Sequence, residues 1–384
     1  MRVLFSSTWG HGHVFPMVPL ARAFAAAGHT VLWATNEPAC ALVAAAGLDV
    51  VAAGLDTAGV AQVAQRLQTT VVGVRPQDRA AFVFPRMFGE WATPSMAADL
   101  LALAREWRPD LIVHEQAELA GPLVAAVLGL PSVTHSFGGP VPAPILAAAG
   151  ERVSHLWAAQ GLSVPACAGS FTGPYLDIYP PGLRAPSPEH DRACQPLRPG
   201  AYCGERTGPL PACLLDDDPR PLVYLTLGTV ANDASVLAAA TAALADLDAR
   251  VLVTVGPRGD PTALGPQPEQ VSVERWVPNN DVLPRCTAVV SHGGSGTFLG
   301  ALSHGLAQVC LPQAADQFRN ARALVASGAG IALDPDQATP QAIRQAVGRV
   351  LVEDGFIQAA DELGEQVRAM PGPDEVVAVL EQLA

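Results

Sequence analysis

The chain contains no lysine; all 23 of its basic residues are arginine. That absence removes every mechanism needing a lysine amine: the lysine-bearing phosphate loop, the pyridoxal phosphate Schiff base and serine–lysine nucleophiles. Charge is sparse, at 15% of 384 residues, and its balance is acidic, with a net charge of −13. Lacking any arginine-rich run, such a chain is a poor partner for nucleic acid or an anionic membrane surface. A nucleotide is not excluded, because a helix N-terminus holds phosphate without net positive charge. No uninterrupted apolar run reaches the length of a membrane span, about 18 residues or more. The opening Met1-Arg2-Val3-Leu4-Phe5 meets polar Ser6, Ser7 and Thr8 at once. It is too short for a signal-peptide core and reads as the buried first strand of a cytoplasmic protein. None of the seven cysteines stands in a C-x-x-C pair, which removes zinc-ribbon and thioredoxin readings. Their count is odd and reduced thiols are expected. The group from Cys167 to Cys213 matches no metal-ligand spacing, and no metal is expected.

What is present is a well-cored globular composition, 49% hydrophobic, long enough for two domains. Short apolar runs alternate with longer Ala/Leu-rich stretches. Strands are expected at 2–6, 30–35, 49–52, 111–114 and 132–135, with helices at 16–27, 37–46 and 117–128. Gly28 and Gly47 stand where helix C-caps do. From about 138 to 221 the rhythm breaks in a Pro- and Gly-rich stretch ending in Asp216-Asp217-Asp218-Pro219. It then restarts, with strands at 222–227, 250–255, 271–274, 288–291 and 308–311 and helices at 234–247, 297–304, 317–327, 340–352 and 356–369. This predicts an α/β chain of two doubly wound, Rossmann-like halves with parallel sheets covered on both faces. The expected divisions are a first domain at 1–205, a linker at 206–221, a second domain at 222–370 and a terminal helix at 371–384. Ligands of such sheets bind beyond the carboxyl ends of the strands, and two facing halves would make a cleft.

The residues with chemistry fall at those strand ends. Ser291-His292-Gly293-Gly294-Ser295-Gly296-Thr297 closes one strand and opens a helix. Its three glycines allow a tight turn and a close backbone approach, and the helix N-terminus suits a diphosphate. His292 can add a hydrogen bond or a proton there. A second loop, Gly228-Thr229, follows the first strand of that half, where the Thr229 hydroxyl can bond the same phosphate. Trp276-Val277 ends another strand; the indole either flanks a nucleobase or packs in the core. Asp316-Gln317 either caps a helix or binds sugar hydroxyls. In the first half, Trp9-Gly10-His11-Gly12-His13 joins strand to helix. Imidazole is the side chain that changes charge near neutrality, and His13 at the sheet edge reads as a general base. His11 reads as a solvated loop residue. Glu115 reaches the same edge and can orient the base, Glu118 one turn later competes, and either can instead cap the following helix. Phe82, Phe84, Met87, Phe88 and Trp91 form an aromatic-rich stretch that is either core or an acceptor wall.

Together the Gly-x-Gly-His start with Pro16 behind it, the His-Glu strand end at Glu115, Trp276-x-Pro278, the His-Gly-Gly-x-Gly-Thr loop and Asp316-Gln317 resemble the bacterial natural-product glycosyltransferases of the GT-B fold. The resemblance runs over nearly the whole chain and is nearest to enzymes using thymidine diphosphate deoxysugars. It implies that His13 deprotonates the acceptor hydroxyl and Glu115 orients His13, with inversion at the anomeric carbon. His292, Gly228, Thr229 and the loop Gly293–Thr297 would hold the leaving diphosphate. Trp276 and Val277 would hold the base, and Asp316 and Gln317 the sugar. A dTDP-sugar co-substrate and a hydrophobic acceptor are implied, with no other cofactor, in a monomer or homodimer. The terminal helix would cross back to the first domain. Many members carry Asp where this chain has Glu115, one methylene longer. Rival readings are a nucleotide-sugar epimerase or hydrolase on the same fold, and a non-catalytic helper protein.

Overall fold

The structure, a computed structural model, describes residues 1–200, 202–204, 206, 208–228 and 233–383. It divides into two compact units, one of Met1–Tyr179, Ala185–Gly204 and Met370–Ala384, the other of Pro180–Arg184 and Glu205–Ala369.

In the first unit the order is β1 (Arg2–Ser7), α1 (His11–Val14), α2 (Val18–Ala26), β2 (Thr30–Thr35), α3 (Glu37–Ala45), β3 (Val50–Ala52), α4 (Thr57–Thr70), α5 (Arg79–Phe84), α6 (Thr93–Trp107), β4 (Leu111–Glu115), α7 (Ala120–Leu128), β5 (Ser132–His135), α8 (Ala143–Ala158), β6 (Tyr175–Asp177), α9 (Pro188–Ala193) and β7 (Cys194–Pro196). The seven strands lie in the order β3-β2-β1-β4-β5-β6-β7 and pair in parallel throughout. Every residue of β4, and of β1 after Arg2, is buried, as expected of strands covered on both faces. One core layer gathers Leu4, Ile112, Leu100, Leu123, Val153 and Trp157. Between α5 and α6 the chain winds as a π-helical segment, Pro85–Ala92. Its extra residues per turn offset Phe88 from the regular helix register.

The second unit runs β8 (Leu222–Thr226), α10 (Ala234–Ala245), β9 (Arg250–Thr254), β10 (Val271–Glu274), α11 (Asn279–Val282), β11 (Ala288–Ser291), α12 (Ser295–Ser303), β12 (Ala307–Cys310), α13 (Gln317–Ser327), β13 (Gly330–Ala332), α14 (Pro340–Val352) and α15 (Asp354–Ala369). Its six parallel strands are ordered β10-β9-β8-β11-β12-β13. Each sheet therefore reverses its winding once, between β1 and β4 and between β8 and β11. The loops leaving those paired strands diverge and open a crevice, the usual ligand site of a doubly wound sheet.

The last helix, α16 (Pro373–Leu380), packs on α2 of the first unit, as the resemblance implies. Its approach is tied by the Arg198 N–H donating to Pro371 O at 2.8 Å, and by His29 Nε2 lying 2.8 Å from Glu381 Oε1. Two expectations need correction. The stretch 138–221, where the rhythm was expected to break, still contains α8 and the strands β6 and β7, each of three residues. Strands that short carry no readable alternation. The helix expected at 117 starts at Ala120 instead, because the Glu115 carboxylate takes the Ala117 N–H and holds residues 116–119 in a turn. Among the described residues no helix is long and apolar enough to cross a membrane.

Candidate active site

Gly10, with φ of 102°, turns the chain leaving β1 so that α1 begins at His11. That places His13 over the neighbouring strand end, where Glu115 closes β4. His13 Nδ1 lies 3.1 Å from Glu115 Oε2, within ion-pair distance but off the line of a full hydrogen bond. Glu115 is completely buried, and its position is held from two sides. Oε1 accepts the Ala117 N–H at 2.7 Å, and Oε2 accepts the Thr8 hydroxyl at 3.2 Å. The extra methylene of Glu over Asp is thus taken up within the turn, and the carboxylate reaches the imidazole. Aromatic rings wall the imidazole, Phe88 at 5.3 Å and Phe137 at 5.0 Å between centroids. An imidazole oriented by a buried carboxylate beside an apolar wall can take a proton from a hydroxyl presented there.

Glu118 does not share this role. Its Oε2 accepts from the Ser6 hydroxyl at 2.6 Å and the Gly121 N–H, and its Oε1 accepts the Ala120 N–H, so it caps α7. Burial pushes its pKa up to about 7. His11 sits edge-on against Phe15. In the aromatic-rich stretch, Phe84 and Phe88 are core residues, and Phe88 also faces His13. The Phe82 ring is covered by the Arg86 guanidinium at 3.7 Å. Met87 packs against the core and Trp91 is half-buried.

In the second unit the imidazole of His292 explains two glycines. A Cβ on Gly228 would stand 2.6 Å from the ring, and one on Gly294 would stand 2.3 Å from Nε2. The ring is therefore packed between two backbones, after β8 and at the start of α12. Desolvation by that packing lowers the His292 pKa to about 4, so the imidazole is neutral near pH 7. Of the two expected roles for His292, a hydrogen bond or a proton, a neutral imidazole suits the hydrogen bond. Its Nδ1 is buried with no hydrogen-bond partner among the described residues. Gly294 is the N-cap of α12, and Ser295, Gly296 and Thr297 form its first turn, with their N–H groups at the positive end of the helix dipole. Thr297 Oγ1 accepts from Asn279 Nδ2 at 3.3 Å. Thr229 lies outside the described residues.

Asp316 stands at the N-cap position of α13, yet its side chain makes no cap bond. Its Oδ2 accepts from Ser295 Oγ at 2.6 Å and Asn320 Nδ2 at 3.2 Å. Asn320 Nδ2 also donates to Gly293 O at 2.8 Å, which ties the glycine loop to Asp316. Ala315, with φ of 53°, holds the strained backbone just before it. Gln317 turns its carboxamide oxygen back to the N–H groups of Gln313 and Ala314. Val277 buries its side chain in the core, leaving only its backbone for a ligand, while Trp276 is half-buried at the end of β10. Sequence reasoning missed Thr8, Phe137 and Asn320. The last was reachable, since it lies one helical turn after Asp316 and so on the same face.

Elsewhere, ligand atoms of Asp177, His190 and Cys194 lie within 4.8 Å of one another. There His190 Nε2 lies 3.0 Å from Asp177 Oδ2, with both side chains buried.

Comparison with known proteins gives these two sites a context. The chain is 38% identical over 342 residues to an L-demethylnoviosyl transferase of Streptomyces niveus, covering 88% of this chain and 86% of the relative. It is 30% identical to the 3-alpha-mycarosylerythronolide B desosaminyl transferase of Saccharopolyspora erythraea, over 100% of this chain and 98% of that one. Among solved structures it resembles glycosyltransferase VinC in complex with dTDP, with a TM-score of 0.83 and 27% identity, covering 100% and 99% of the two chains. A spinosyn rhamnosyltransferase, SpnG, complexed with spinosyn aglycone matches at a TM-score of 0.82 and 29% identity, over 99% and 100%. Residues 22–167 and 238–383 match the N-terminal and C-terminal domains described as erythromycin biosynthesis protein CIII-like, and the chain belongs to that family of GT-B glycosyltransferases.

Proposed function

We propose that this glycosyltransferase moves a deoxysugar from a dTDP-type carrier to a hydroxyl of a hydrophobic natural-product acceptor, with inversion at the anomeric carbon. The observation that carries this reading is His13 Nδ1 lying 3.1 Å from the buried carboxylate of Glu115, beneath the rings of Phe88 and Phe137. His13 takes the proton of the acceptor hydroxyl, and Glu115 fixes the ring and stabilises the imidazolium that forms. The acceptor oxygen attacks the anomeric carbon as its bond to the diphosphate breaks on the opposite face.

The second unit binds the donor. Main-chain N–H groups at the start of α12 and a hydrogen bond from His292 receive the diphosphate, with no metal required. Trp276 and the Val277 backbone take the base. Asp316, braced by Ser295 and Asn320, takes the sugar hydroxyls, and Gln317 supports that loop. The dTDP bound in VinC and the aglycone bound in SpnG support this assignment of donor and acceptor classes. His13→Ala tests the base directly. It is expected to lower kcat by about 10²–10⁴ while dTDP still raises the melting temperature, and more than UDP does. A variant with undiminished kcat would overturn the role of His13.

A further inference from the structure

A small cavity in the first unit is lined by Thr8, Asn36, Phe88, Met96, Ala117 and Glu118, among others. It has room for about one water-sized group. Two of its walls belong also to the surroundings of His13, since Thr8 donates to Glu115 and Phe88 packs on the imidazole. Its polar lining comprises Thr8, Thr93, Glu118 and Asn36, the last of which is 1% exposed.

Asn36 stands at the N-cap of α3, where an Asn oxygen ordinarily accepts a helix N–H. Here it does not, and Oδ1 is buried with no hydrogen-bond partner. The amide cannot be reversed without loss. Nδ2 faces the Ala53 carbonyl at 3.5 Å, and a carbonyl accepts only. Gly54, with φ of 84°, leaves room for that nitrogen, since a Cβ there would come within 2.8 Å of it. The oxygen is thus left without a protein donor, on a side chain that lines the cavity. Glu118 adds acceptor character on the same wall, its carboxylate engaged by Ser6, Ala120 and Gly121. A buried amide oxygen without a donor is costly, and a donor entering the cavity recovers that cost.

We propose that this cavity is a polar subsite for the acceptor, in which Asn36 Oδ1 accepts a hydrogen bond from a hydroxyl or N–H other than the group that receives the sugar. The inference rests on the acceptor reading given above and adds a selection rule. A flat apolar acceptor bearing a second donor is preferred to one bearing none. The apolar frame stays outside the cavity, and only its polar substituent enters to meet Asn36.

The test uses the full chain and a matched pair of probes, 2,7-dihydroxynaphthalene and 2-naphthol, with dissociation constants read by calorimetry without donor. The wild type is expected to bind the diol about tenfold more tightly, a ratio corresponding to one satisfied buried acceptor. Asn36→Leu, close in size and apolar, should bring the ratio to within about twofold, whereas Asn36→Asp, which retains an oxygen, should preserve it. A rise in melting temperature with dTDP reports that each variant is folded. Equal binding of the two probes by the wild type would overturn the proposal, as would an unchanged ratio in Asn36→Leu, which would make the cavity a structural water site. Diol selectivity through Asn36 without sugar transfer from any dTDP-sugar would instead uphold the subsite and overturn the transferase mechanism.

Discussion

Replacing Glu115 by Gln changes two atoms' chemistry and almost no volume. The Ala117 N–H, 2.7 Å from Oε1, requires an oxygen and fixes which way the new amide lies. The amide nitrogen then occupies the place of Oε2, 3.1 Å from His13 Nδ1 and 3.2 Å from the Thr8 hydroxyl. An N–H donor 3.1 Å from Nδ1 favours the tautomer protonated on Nε2, and that nitrogen then has no lone pair for the acceptor's proton. The carboxylate's attraction for the nascent imidazolium is lost as well, on the order of 4 kcal/mol for a pair about 4 Å apart at an effective dielectric near 20. A loss of about 4 kcal/mol corresponds to about 10³ in rate. Glu115→Gln is therefore expected to lower kcat about 10³-fold at saturating donor and acceptor, with dTDP affinity by calorimetry unchanged. Glu115→Asp retains the charge and should lose far less. If Glu115→Gln kept kcat within about threefold of wild type, the pairing with His13 would be structural and the mechanism wrong.

Two other predictions concern parts of the structure away from that pair. Gly294→Ala introduces a Cβ 2.3 Å from His292 Nε2 at a residue with ordinary φ of −67°, so it displaces the imidazole without straining the backbone. Affinity for dTDP should fall by tenfold or more, roughly one lost charge-assisted hydrogen bond; affinity within twofold of wild type would remove His292 from the donor site. Glu118 has a folded pKa raised to about 7 from an ordinary 4.5, so the folded state holds its proton more tightly than the unfolded state between those values. Its burial therefore destabilises the protein increasingly as pH rises from 4.5 to 7, up to about 3 kcal/mol. Glu118→Gln mimics the neutral acid, so its melting temperature relative to wild type should rise from pH 5 to pH 8; a pH-independent difference would show that Glu118 is ionised throughout.

Much of this arrangement was readable because chemistry-bearing residues sit where apolar runs stop. The runs ending at Ser6, His114 and Ser291 announced β1, β4 and β11, and the polar residues after them had to lie at the carboxyl edge of a sheet. Gly28 and Gly47, with φ of 85° and 74°, close helices as their positions suggested. Other features left no trace in periodicity. The strands β6, β7 and β13 have three residues each, too few for a pattern, and the first two lie among prolines. The π-helical turn that carries Phe88 packs against α8, a contact between distant segments. The division of labour between Glu115 and Glu118 was set by which N–H groups each carboxylate could reach, and the neutrality of His292 by burial between two glycines. Both are tertiary facts.

The central claim is a single displacement at the anomeric carbon, driven by His13 from the acceptor side. Its most direct test is the anomeric configuration of the product, read by NMR coupling after the enzyme transfers a deoxysugar from a dTDP donor of known configuration. The account predicts a product inverted relative to the donor, with Glu115→Gln making the same anomer slowly. A product that keeps the donor's configuration would contradict it, because retention requires two displacements or a front-side path, neither of which uses His13 as proposed.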